Sequence, residues 1–95
     1  MIYCVTFQDN PGQEHLRLEH MQDHLAFLAS LGAKMIAAGP LFQGIEGRGG
    51  MWLVNADSTD EVQALVEQDP FWPTGLRKSV DILEWRQVFR DGHRV

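Results

Sequence analysis

Apolar and polar positions divide the chain into six segments. "IYCVTF" (2–7) is aromatic and β-branched and reads as a strand. "QDNPG" punctuates it, with Asn10 placed to cap a helix whose first position is Pro11. Apolar residues then recur at helical spacing to about Leu31, where Gly32 supplies the stop. "AKMIAAGPLF" (33–42) predicts a second strand, irregular at Gly39-Pro40. "QGIEGRGG" (43–50) reads as a flexible glycine-rich hairpin loop and "MWLVNA" (51–56) as a third strand. "DSTDEVQALVEQD" carries Ser58 and Glu61 at capping-box spacing, which starts a second helix, and Pro70 ends it. "LRKSVDILEWRQVF" (76–89) predicts a long last strand, and "RDGHRV", from about residue 90, a polar tail.

The order strand-helix-strand-strand-helix-strand predicts an α+β fold of the ferredoxin-like βαββαβ type. Residues 1–95 form a single domain, a four-stranded antiparallel sheet with two helices on one face. In the strands neither alternating set is polar throughout: Ile2 and Cys4 alternate with Tyr3, Val5 and Phe7, and Trp52 and Val54 with Met51 and Leu53. Two helices cover one face only, so the other needs a partner, and a homodimer packed through the sheet face is expected. Cys4 is read as a small buried hydrophobe of its strand.

Polar residues interrupt the helical stripes. Advancing about 100° per residue puts Arg17, His20 and His24 in the middle of the apolar arc of "HLRLEHMQDHLAFLASLG" rather than at its border. In the second helix Val62, Leu65 and Val66 form the stripe, and the next member of the series is Asp69, held by the stiff step to Pro70. A carboxylate buried alone costs several kcal/mol, so it needs a partner. His24 is the obvious one. That pairing fixes the imidazole tautomer and suits the histidine to general-base work.

Singly, each residue has a plainer reading. A histidine on an apolar face is often a hydrogen-bonded core residue, Arg17 can snorkel, His20 can stay solvated, and Asp69 can bond a backbone amide. Jointly, they aim polar groups from two helices at one interior. Phe71 and Trp72 lie beside Asp69 and suit a pocket wall or a dimer contact equally. His20 and His24 have the spacing of a zinc pair, but "HMQDH" lacks the adjoining glutamate, so no metal or cofactor is expected. "GIEGRGG" has no following helix with which to hold a phosphate.

Charge narrows the partner. The net charge is −5 and the eight Lys and Arg are scattered, which argues against nucleic acid and leaves a small molecule. No apolar run is long enough for a membrane span, and the start has no basic region typical of a signal peptide. One cysteine excludes an internal disulfide and fits a reducing, cytoplasmic setting.

Together "MIYCVTFQD", "DHLAFLASLGAKMIAAGPL" and "EVQALVEQDPFWPTGLRKSVDILEW" resemble the YCII-related family over nearly the whole chain. The resemblance implies a dimeric α+β barrel and a His-Asp pair at the active site, matched by His24 and Asp69. Arg17 matches a basic position of the family. A second arginine expected before the histidine is Met21 here, with His20 as a possible substitute. The activity implied is cofactor-free proton transfer (elimination, isomerisation or lactone chemistry) on a small, aromatic-derived acid, or else binding of such a metabolite without turnover.

Overall fold

The computed structural model describes residues 1–95. Its main sheet has the order β2-β3-β1-β4, built from β1 (Ile2–Asp9), β2 (Met35–Gln43), β3 (Glu46–Asn55) and β4 (Arg77–Glu84). Every neighbouring pair is antiparallel. Helices α1 (Glu14–Glu19), α2 (Met21–Ser30) and α3 (Thr59–Gln68) fill the two crossovers. This is the ferredoxin-like α+β arrangement that the segment order predicts.

Alternation decides which face is buried. Tyr3, Val5 and Phe7 of β1 and Trp52 and Val54 of β3 point into one core, against Val62, Leu65 and Val66 of α3. Phe27, Leu28 and Leu31 close it from the α2 side. Burying each such side chain contributes roughly 1.5–3 kcal/mol. The opposite face carries a row of Leu53, Cys4 and Leu83 on adjacent strands. Leu83 is 65% exposed in the single chain. Cys4 is half-buried on this open face, not in the core as expected, because strand parity groups it with Ile2 and Thr6.

Helix α3 starts as its sequence dictates. Ser58 Oγ accepts from the Glu61 backbone N–H, while the Glu61 carboxylate accepts from the Asp57 N–H. The first crossover differs from the single long helix expected. Asn10 does not cap it: its side chain donates to the Gly75 carbonyl, and the helix begins only at Glu14, after an uncapped Gln13. His20 then leaves helical geometry, at φ −105° and ψ 9°, and separates α1 from α2. Helical geometry is interrupted there, although His20 N still donates to Leu16 O and His24 N to His20 O. Helix α1 has no buried residue, and Leu18 is 81% exposed.

Two loops of the sequence reading are strands. Residues 46–50 continue β3, and the hairpin turn is only Gly44-Ile45, with Gly44 at φ 60° as a tight glycine-first turn requires. Gly49 serves close approach rather than flexibility. A Cβ on Gly49 would stand 1.8 Å from the Phe7 carbonyl oxygen. The last strand ends at Glu84, and the tail folds into a small hairpin of β5 (Phe89–Arg90) and β6 (His93–Arg94). Asp91 and Gly92 both take positive φ in its turn.

Candidate active site

Asp69 caps α3 in an extended conformation imposed by Pro70 and is fully buried. Its Oδ1 accepts from the Phe71 N–H at 3.0 Å and lies 2.9 Å from His24 Nδ1. The helical stripe that ends on Asp69 therefore delivers the carboxylate to the middle of α2, as the spacing predicts. Phe71 stacks on the imidazole, with ring centroids 4.0 Å apart and planes 13° apart, which fixes the rotation of the ring.

A third member of this cluster is absent from the sequence reading. Arg77 Nη2 lies 2.9 Å from Asp69 Oδ2, and its side chain is only 6% exposed. The contact is an ion pair outside hydrogen-bond geometry, which leaves Asp69 Oδ2 without a hydrogen-bond partner; Arg77 Nη1, on the other arm of the fork, is buried without one as well. Aromatic rings enclose the guanidinium: its Cζ stands 3.7 Å from the Phe7 ring centroid, with Phe71 and Trp52 farther off. Alternation from Val80 and Ile82 would turn Lys78 inward and Arg77 outward. The ladder slips instead, pairing Gln8 with Ser79 but Asp9 with Arg77, and Lys78 is left exposed. Only that irregularity brings Arg77 inside, and no residue pattern announces it.

Burial is the largest influence on the Asp69 carboxyl and pushes its pKa up. The His24 hydrogen bond, the Arg77 charge and the Phe71 N–H together outweigh burial and hold it below the usual carboxylate value. Burial also lowers Arg77, opposed by the Asp69 charge, but a guanidinium stays protonated regardless. An ionised carboxylate only accepts hydrogen bonds, so His24 Nδ1 carries the proton when the ring is neutral. Nε2 is then the basic nitrogen, and it makes no hydrogen bond within the chain.

This cluster sets an acid limit on stability. The Asp69 pKa is lower folded than unfolded, so its contribution is complete above the unfolded value and fades as pH falls through the folded one. Denaturation midpoints are expected to drop below about pH 4, and an Asp69→Asn variant to lose much of that dependence. An unchanged acid limb in the variant assigns the effect to other carboxylates.

His24 lines a cavity of about 110 Å³ together with Arg17, Arg77, Phe7, Trp52 and Met21. The space is smaller than the roughly 150 Å³ that holds benzene, so a substituted ring enters it in part and extends out through its mouth. Arg17 reaches it from α1, held by Asp9 Oδ2 at 2.8 Å and the Gly49 carbonyl at 3.4 Å. A larger hollow of about 590 Å³ lies beyond, bordered by Asn10, Arg48 and Lys78. It touches neither His24 nor Asp69. Arg17 and Pro40 border both spaces.

Of the six residues singled out from sequence, the structure brings together His24, Asp69, Arg17 and Phe71. His20 sits between the two helices, its side chain 32% exposed and 4.0 Å from Glu19, and does not line the small cavity. Trp72 is 39% exposed and also lies outside it. His20 lies at the break between α1 and α2, where the helical spacing that places it on the stripe no longer holds.

The family model of the YCII-related domain matches residues 1–86. Among solved structures, the chain is similar to 5-chloro-2-hydroxyhydroquinone dehydrochlorinase (TftG) from Burkholderia phenoliruptrix AC1100, in complex with 2,5-dihydroxybenzoquinone. The two share 30% identity over 90% of this chain and 94% of that one, with a TM-score of 0.81. A protein of Arabidopsis thaliana aligns over 95% of this chain and 97% of its own at 14% identity and a TM-score of 0.48. No curated protein sequence matches the chain.

Proposed function

The chain belongs to the YCII-related domain family, and from that premise we propose that it is a cofactor-independent enzyme of proton transfer acting on a small, anionic ring compound. One observation carries this reading: the buried 2.9 Å contact between His24 Nδ1 and Asp69 Oδ1, beside a small cavity that His24 lines together with Arg17 and Arg77. Asp69 holds the imidazole with its proton on Nδ1, so Nε2 takes a proton from the ligand and returns it later. Arg17 supplies positive charge at the cavity mouth. Elimination fits this equipment, because an acidified proton and a good leaving group ask little more than a positioned base.

The dehydrochlorinase supports that choice of reaction, since its named activity is loss of HCl from a chlorinated hydroxyhydroquinone. The direct test is incubation with 5-chloro-2-hydroxyhydroquinone, following chloride release above the uncatalysed background. Release proportional to enzyme supports the reading. Background-level release, with 2,5-dihydroxybenzoquinone also failing to bind, removes it.

We also propose a homodimer through the open sheet face. Its support is the apolar row of Leu53, Cys4 and Leu83, which no helix of the same chain covers. Sedimentation is expected to give twice the chain mass, and a Leu83→Lys substitution to shift it toward monomer. A wild-type monomer at micromolar concentration contradicts the arrangement.

A further inference from the structure

Two guanidinium groups border the small cavity, and they are satisfied differently. Arg17 is bonded to Asp9 and to the Gly49 carbonyl. Arg77 has one side of its fork against Asp69, while Nη1 is buried with no acceptor. A buried charged donor left unmatched is costly, and the ring of Phe7 offsets only part of that cost. No carboxylate lines the cavity, whose other walls include Phe7, Trp52, Met21 and Leu25. It therefore offers flat apolar surface, two cations and the imidazole of His24.

We infer that Arg77 is the residue that binds the oxyanion of the ligand, a phenolate- or enolate-type oxygen on a planar ring, in the cavity bordered by His24 and Arg17. The inference deepens the proposed function and rests on the same cavity being the substrate site. When His24 Nε2 removes an O–H or C–H proton, that bond breaks and an N–H bond forms. The electron pair stays on the ligand and delocalises to its ring oxygen. A guanidinium already desolvated, held by Asp69 and lining the cavity stabilises that charge from its wall. Asp69 thus serves two partners at once, steering the imidazole through Oδ1 and the guanidinium through Oδ2.

The test uses two unreactive probes of nearly equal shape, 4-nitrophenolate and neutral 4-nitroaniline, titrated by absorbance against wild type, Arg77→Lys and Arg77→Met. Wild type is expected to prefer the phenolate and to make bound 4-nitrophenol ionise at a lower pH than the free molecule. Arg77→Lys keeps a charge but loses the fork, and is expected to weaken phenolate binding by about 10- to 100-fold while leaving 4-nitroaniline unchanged. Arg77→Met is expected to abolish the ionisation shift; if it does not fold, Arg77→Lys alone decides. Equal wild-type affinity for the two probes, no binding of either, or unchanged phenolate affinity in Arg77→Lys overturns the inference. Neither probe undergoes elimination. Loss of the proton-transfer reading therefore shows as absent chloride release with phenolate binding intact, and loss of this one as the reverse.

Discussion

Replacing His24 with alanine is expected to lower turnover by roughly 10²–10⁴-fold, the range a positioned general base contributes. The variant should remain folded, because the groups it leaves behind stay paired. Asp69 keeps the Phe71 N–H at 3.0 Å and the Arg77 guanidinium at 2.9 Å. What is lost structurally is the stacking partner of Phe71 and a small volume beside a cavity that already exists. Loss of rate with native near-ultraviolet circular dichroism thus reports chemistry. Turnover within a few-fold of wild type would mean that another group moves the proton.

The largest effect on stability belongs to Asp69. Asp69→Ala strands a guanidinium that is 6% exposed and removes the acceptor of His24. Breaking a buried pair from one side costs about 3–5 kcal/mol, a large share of the roughly 5–15 kcal/mol that a domain of this kind has in total. Chemical denaturation is expected to show a strongly lowered midpoint, or no cooperative transition at all. Asp69→Asn keeps the volume and an oxygen for the Phe71 N–H but lacks the charge, and should fall between the two. A loss below about 1 kcal/mol in Asp69→Ala would show that Arg77 finds solvent or another partner when the carboxylate is gone.

The contrast between His24 and Arg77 shows how far the sequence carries the site. His24 and Asp69 were legible because helical spacing is regular: a polar residue that falls on an apolar stripe is conspicuous, and α3 holds its stripe unbroken to Asp69. Arg77 was hidden because its inward orientation depends on a one-residue slip between β1 and β4, which alternation cannot anticipate. His20 lies outside the small cavity for the opposite reason: the helical stripe does not continue across the break at His20, which no proline or glycine marks. The glycines of residues 46–50 suggest a loop, whereas Gly49 is required by the close approach of β1 and β3. Asp91-Gly92 is a hairpin signal inside a segment whose polar composition suggests a tail. Order and type of the elements came from local pattern; bulges, helix breaks and close approaches come from tertiary packing.

The account depends most on the state of one ring, and nitrogen-15 NMR of histidine-labelled protein observes it directly. In the neutral protein His24 is expected to show a protonated Nδ1 and an unprotonated Nε2, and in Asp69→Asn to shift toward the opposite tautomer or a mixture. A wild-type His24 protonated on Nε2, or a pattern indifferent to residue 69, would leave the cavity without its base.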